Sequence, residues 1–360
     1  MTPSSLSLEV RLAEPTDLAQ IAEFLLPLGG PSFPERFPGR TAQDFYRWKY
    51  FQNPLGDAIV GIAIAGDAIV SVVAAAPKRI WISGKVVLAY ELGDFLTDGS
   101  HRKQGLFSKL IELVCSKIAA CGAAFVYVRP NDASFSILAG KLGFFEAQRL
   151  DARRLIVPSQ ALSRKTGIPA SLLRLSGMDK LLRDRCVPHF PKGGITVVPA
   201  QRFGEETDEL WARASADYNF ALVRDSSYLN WRFSDCPTPY RMLRAVRSGH
   251  TVGFLVASAE RANLAAAIVD LFTDGSDEEA VEGLVATAIG DLLGRGMQLI
   301  STWTLQRSAE SDGHKMLQRA FPFRRKQHLH LAFRVLHSHE IPSPLPSQKW
   351  QFTLGDSDGA

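Results

Sequence analysis

Arg102, Lys103 and Gly105 fall within one stretch, Gly93 to Phe107, that reads GDFLTDGSHRKQGLF. It starts as an apolar strand, turns at Asp98-Gly99-Ser100, passes a basic knot and opens a helix at Gly105. Leu106, Leu110, Leu113, Val114 and Ile118 give that helix its apolar period, to about Cys121. Such a junction attracts anions. First-turn N–H groups have no intrahelical acceptor, the macrodipole adds partial positive charge, and Arg102 and Lys103 add full charge. The pattern predicts a phosphate-bearing ligand. Glu91 is the second chemical feature, in a strand from Val86 to Leu96. Alternation sets Glu91 and Gly93 on one face, with Tyr90, Leu92 and Asp94 on the other. A carboxylate in an otherwise apolar strand is expected to have a raised pKa and to deprotonate an ammonium through water. A solvated or salt-bridged glutamate is the competing reading.

Arg102-Lys103-Gln104-Gly105-Leu106-Phe107 resembles the R/Q-x-x-G-x-G/A pyrophosphate loop of GNAT-type N-acetyltransferases, with Phe107 where Gly or Ala is commonest. Two flanking pieces strengthen the likeness. A strand at 8–13, then Glu14-Pro15-Thr16-Asp17 and a helix, looks like the first βα unit of that family, and Lys141-Leu142-Gly143-Phe144 resembles the end of its second conserved segment. The resemblance implies acetyl-CoA as co-substrate, its pyrophosphate on the backbone of Arg102, Lys103, Gln104, Gly105, Leu106 and Phe107. It places pantetheine along Phe95, Leu96 and Thr97, where a backbone N–H stabilises the thioester oxyanion, and against Asn131. It favours an acidic residue on this strand, which makes Glu91 the expected base. The family's usual tyrosine acid falls on Ala139, so Ser134, Ser136 or solvent is left to protonate the thiolate.

The surrounding elements follow the same family. Three strands (58–65, 69–82, 86–96) are separated by Gly66-Asp67 and Ser83-Gly84 and read as an antiparallel meander. A strand at 125–128, a helix at 131–141 and a strand pair through Val157 complete the order β-α-α-β-β-β-α-β-α-β-β. The second half echoes the first. Tyr46-Arg47-Trp48-Lys49-Tyr50 is matched by Leu229-Asn230-Trp231-Arg232-Phe233, and Asp94 to Ser100 by Asp270 to Ser276. The expected fold class is therefore α/β (α+β), with two tandem GNAT-like domains, each a mixed, mostly antiparallel sheet flanked by helices. The domains are expected at 1–157 (acetyl-CoA binding) and 193–345 (degenerate), with a basic helical linker at 158–192 and a tail at 346–360. Degeneracy is read from Asp277, Glu278 and Glu279, which replace the basic knot and would repel a pyrophosphate. Asp94 and its echo Asp270 persist in both copies, which argues for a structural role. Trp48 and Trp231 are expected in the core.

Composition narrows the function. The chain has 360 residues, 46% of them apolar, enough for two cores. No signal peptide and no membrane span is read, and the four cysteines are scattered, so a cytoplasmic protein with free, mostly buried thiols is expected. Residues 149–185 carry nine Lys/Arg against three Asp/Glu, while the whole chain is only +4. No nucleic-acid partner is expected, since no aromatic-interleaved basic stripe appears. No metal is expected: His328 and His330 share a strand face without supporting ligands, and Asp356 and Asp358 read as a surface tail. The acceptor is expected to be a primary amine on a small molecule, amino sugar or peptide, bound in a groove between the domains and roofed by the Pro-rich loop 28–40. Two alternatives stand beside an acetyl-CoA-dependent N-acyltransferase: a non-catalytic acyl-CoA-binding regulatory or scaffolding module, and a tRNA-dependent aminoacyl transferase.

Overall fold

In the computed structural model, which describes residues 8–29, 39–260, 264–275, 277–306, 312–342, 345–346 and 348–357, the first half opens with β1 (Leu8–Leu12), α1 (Leu18–Gly29) and α2 (Ala42–Phe51). A capping box starts α2: the Asp44 amide donates to the Thr41 hydroxyl, and the Thr41 amide donates to the Asp44 carboxylate at 2.9 Å. The expected meander follows as β2 (Ile59–Ala65), β3 (Ala68–Ile82) and β4 (Lys85–Thr97), antiparallel throughout. Then come α3 (Leu106–Ala120), β5 (Phe125–Val128), α4 (Asp132–Lys141) and β6 (Phe145–Ile156). Helices α1 and α2 cover one face of these strands, and α3 covers the other.

A layer of three short helices, α5 (Pro158–Thr166), α6 (Ala170–Arg174) and α7 (Met178–Cys186), leads into the second half. There the order recurs as β7 (Ile195–Ala200), α8 (Glu205–Ala214), β8 (Phe220–Leu222) and α9 (Ser226–Leu229), which continues as a π-helical turn to Ser234. β9 (Tyr240–Arg247), β10 (His250–Glu260), β11 (Ala265–Thr273), α10 (Glu278–Gly294), β12 (Leu299–Leu305), α11 (Asp312–Ala320) and β13 (Phe323–Val335) follow. The short β14 (Trp350–Gln351) pairs with β8.

All the strands join one sheet, in the order β1-β2-β3-β4-β5-β13-β6-β12-β11-β10-β9-β7, with β8 and β14 to the side. Its centre carries an exchange. The last long strand of the second half, β13, lies between β5 and β6, and β6 lies between β13 and β12. This corrects the strand pair expected through Val157. Residues 145–156 contain no Gly, Pro or Asn to turn the chain, so they run on as one strand whose partners come from far along the sequence.

The halves also share a core. The Trp48 and Trp231 rings stack at 5.1 Å, and each indole N–H donates to the other's backbone carbonyl, at 2.9 and 3.3 Å. Both indoles are core residues, as expected. The tail expected at the surface is instead buried: Trp350, Phe352 and Asp356 are 1%, 3% and 1% exposed. Two aromatic anchors and an ion pair from Asp356 to Arg224 (2.8 Å) hold it down. Of the thiols, Cys115 and Cys186 are buried, Cys236 is half-buried and Cys121 is exposed. Among the described residues, no helix is long and apolar enough to cross a membrane.

Candidate active site

Two strands that part from each other build the centre of the site. β4 and β5 run parallel from Ala89↔Phe125 to Leu92↔Val128, where β5 stops. β4 continues to Thr97, so its edge beyond Leu92 is unmatched by β5. A bulge bends it there. Between the pairs Ala74↔Gly93 and Val72↔Leu96, β4 carries Asp94 and Phe95 against Val73 alone. Asp94 adopts φ +51°, and its carboxylate accepts from Lys49 Nζ (2.9 Å) and Tyr50 OH (2.7 Å) of α2. Asp94 thus pins the bulge.

The basic knot lies beyond Thr97. The Arg102 guanidinium donates through Nε to the Thr97 carbonyl at 3.3 Å, and the Phe107 ring meets Phe95 edge-on at 5.2 Å. The bulky residue at 107 is therefore accommodated by Phe95, which brings two predicted site residues together. Lys103 (φ +64°) and Gly105 (φ +76°) are both left-handed, a backbone shape that gathers successive N–H groups into an anion-binding hollow. No side chain caps α3 at Gly105. Among the described residues, the amides of Arg102 to Ser108 have no hydrogen-bond acceptor. Asp98 secures the turn before the knot by accepting from the Ser100 amide at 2.9 Å; Ser100 and His101 pull its carboxyl down to about 2.

The matching place in the second half is filled by protein. Asp277 caps α10 by accepting from the Ala280 amide (2.9 Å), and Asp277 and Glu279 both grip Arg247, at 2.9 and 2.7 Å. A Cβ on Gly193 would meet the Glu279 carboxylate, so acid and chain are packed together there. β11 also leaves β12 after the pair Ala267↔Ser301, but the tail closes on it. Gln351 Nε2 donates to the Leu271 carbonyl (2.6 Å), and the Thr353 hydroxyl donates to Asp270 (3.0 Å).

Glu91 lies on the face of β4 turned towards the shared core, while Tyr90 and Leu92 pack under α3. It is 4% exposed, 3.6 Å from the Nζ of Lys78, which is itself sealed and donates to Tyr228 OH at 3.0 Å. Glu91 is therefore not in purely apolar surroundings: the neighbouring strand β3 sets a buried cation beside it. Arg129, just past β5 on the same face, stacks over Trp303 at 4.6 Å. Burial pushes its guanidinium below the usual range, against the pull of Glu91's charge. Sequence reasoning missed Lys78 and Arg129. A lysine inside AIVSVVAAAPKRIWI was the available signal, but its partner is fixed only by strand register.

Asn131, an exposed residue, caps α4 by accepting from the Ser134 amide at 2.9 Å, and its side-chain NH2 has no acceptor among the described residues. Ala139 is exposed on the same helix, and Ser136 Oγ donates to the Asp132 carbonyl at 3.0 Å. His330 is held between Asp132 and Glu146 and stacks on Phe135 at 4.1 Å. Most of the loop expected to roof an acceptor groove, 30–38, lies outside the described residues, as do Ser276, Asp358 and the side chain of His328.

Residues 10–144 match the model of a GNAT acetyltransferase domain. No curated protein matches the chain in sequence. Among solved structures, a probable N-acyltransferase of Enterococcus faecalis V583 is similar at TM-score 0.64 and 12% identity, over 93% of this chain and 74% of that one. A GCN5-related N-acetyltransferase from Anabaena variabilis is similar at 0.62 and 11% identity, over 93% and 74%. Saccharomyces cerevisiae N-myristoyltransferase with bound myristoyl-CoA gives 0.58 and 12%, over 92% and 80%. At these identities the structures speak for the fold, which they share along nearly the whole chain. The parted strands and the open helix terminus both lie within residues 10–144, the stretch that matches a GNAT acetyltransferase domain.

Proposed function

We propose that the chain transfers an acetyl group from acetyl-CoA to a primary amine by direct attack, using the first half alone. The observation that carries this is the contrast between two helix starts: amides 102–108 have no protein acceptor, whereas Asp277 and Glu279 fill the counterpart at α10. The hollow at Arg102, Lys103, Gln104, Gly105, Leu106 and Phe107 would take the pyrophosphate, and the unmatched edge of β4 at Phe95, Leu96 and Thr97 the pantetheine. The side-chain NH2 of Asn131 would donate to the same arm. Bound acetyl-CoA supplies the activated acyl carbonyl. A β4 backbone N–H orients that carbonyl and stabilises negative charge on it. Glu91, positioned by Lys78, accepts the acceptor's ammonium proton through water; the neutral amine then adds to the acyl carbonyl, the C–S bond breaks and CoA leaves as the thiolate. The domains proposed are 1–157 and 193–345, the second a copy that has lost the cofactor.

A second reading is a non-catalytic acyl-CoA-binding module. The burial of Glu91 against Lys78 and the exposed Ala139 favour it. Calorimetry with acetyl-CoA should show one site per chain, abolished in Gly105→Glu and intact in Glu279→Gln. CoA release with a panel of amines then separates the readings: saturation without release on any amine leaves the module. Glu91→Gln should lower turnover at neutral pH with cofactor affinity kept, and an unchanged rate removes Glu91 from the chemistry. Because that variant leaves Lys78 buried beside a neutral amide, about 3 kcal/mol of stability is also expected to go. The rate is therefore compared well below each variant's melting midpoint.

A further inference from the structure

The helical layer α5–α7 has two features that the acyltransferase reading leaves unused. Residues 158–192 contain seven Lys/Arg and two Asp/Glu, an excess larger than the net +4 of the whole chain. The same layer exposes aliphatic side chains: Leu175 is 83% exposed, Leu181 67%, Leu172 59% and Ile168 43%. An isolated exposed leucine is ordinary, but four within fourteen residues, set among Arg164, Lys165, Lys180 and Arg185, are not.

A cavity of about 420 Å³ opens under this layer. Its wall is apolar at Leu155, Leu182, Leu293 and Met297, and Arg174 and Arg183 line it as well. Neither arginine has a carboxylate partner among the described residues. Asp179, the acid in the lining, is turned to the Ser159 amide (2.9 Å) and hydroxyl (2.5 Å). An apolar hollow with two unpaired guanidinium groups suits an anionic head carrying a hydrocarbon tail.

We propose that the α5–α7 layer docks on an anionic phospholipid surface, with a lipid phosphate on Arg174 and Arg183 and Leu172, Leu175 and Leu181 entering the acyl region. Charge complementarity names the sign of the partner, and the side-chain types name its class. A protein interface is anchored by buried Tyr, Trp and Arg, with Lys depleted. Here aliphatic side chains project from short helices and from the turn between α6 and α7, surrounded by Lys and Arg, the pattern of a peripheral membrane surface.

The test is sedimentation of the full chain with vesicles of phosphatidylglycerol and phosphatidylcholine in equal amounts, against phosphatidylcholine alone. It reads no turnover, so its outcome is independent of the acyl-transfer reading. Binding to the anionic vesicles only is expected. Arg174→Glu with Arg183→Glu, and separately Leu172→Ser with Leu175→Ser and Leu181→Ser, should each weaken it by at least about ten-fold. Leu175→Ser alone, at so exposed a position, should lower binding by a few-fold with an unchanged melting temperature. Absence of binding to anionic vesicles at low salt would overturn the proposal. So would full binding by the triple Ser variant, which would leave a purely electrostatic patch fit for an acidic protein. Displacement by millimolar inorganic phosphate, with no loss in the Ser variants, would reduce it to a small-anion site.

Discussion

Asp98 and Asp277 stand near matching helix starts and do opposite things. Asp277 turns its carboxylate into α10 and onto Arg247, which closes that terminus. Asp98 stays in the turn before α3, bonded to the hydroxyl and amide of Ser100, and leaves the terminus open. Its titration reports whether the turn is formed. The folded value of about 2 lies below the ordinary 3.8, held down first by the Ser100 hydroxyl. The turn's stabilisation is thus complete above the unfolded value and is lost as pH falls through about 2. The carboxyl carbon of Asp98, followed by NMR, should titrate near 2 and move upward in Ser100→Ala. A midpoint near 4 with Ser100 present would mean the bond is absent. Residues of this kind were legible because turn, charge and helix start are contiguous in sequence. Lys78 and Arg129 were not, because Lys78 reaches Glu91 from β3 and Arg129 feels its charge from just past β5, and only strand register sets these elements side by side.

Among the elements, the meander β2–β4 and helices α2 and α3 were legible to within a residue or two, because their turns and caps are local. The fate of β6 was not. Its sequence declares a strand, but nothing local says that its neighbours are β12 and β13. That pairing has a measurable effect. Limited trypsin cleavage at Arg164 or Lys165, both exposed in α5, should give two fragments that co-elute on size exclusion, because β6 stays clamped in the strands of the other fragment. Fragments that separate in native buffer would contradict the exchange.

For the whole molecule, one core draws on both halves: Trp48, Phe125 and Tyr127 with Tyr228, Trp231, Phe254 and Phe272. A sheet without a seam and a core cluster shared by both halves imply one cooperative unit. Calorimetry should resolve a single unfolding transition, and Trp48→Ala should lower the stability of that unit by about 3–5 kcal/mol. Two separate peaks would show halves that fold alone. The echo of the two tryptophan segments was visible in the sequence, whereas the reciprocal indole bonds depend on geometry that no spacing encodes.

The exchange also bears on how the chain is made. While it is being synthesised, β5 has its parallel neighbour β4 but lacks the strand on its other side, since residues 323–335 are still to come. Until then the growing polypeptide presents an unpaired edge of buried type, Phe125 to Val128, for most of its time on the ribosome. Rapid synthesis or chaperone cover at that stage, more than the stability of the finished fold, should set how much of the protein is recovered intact.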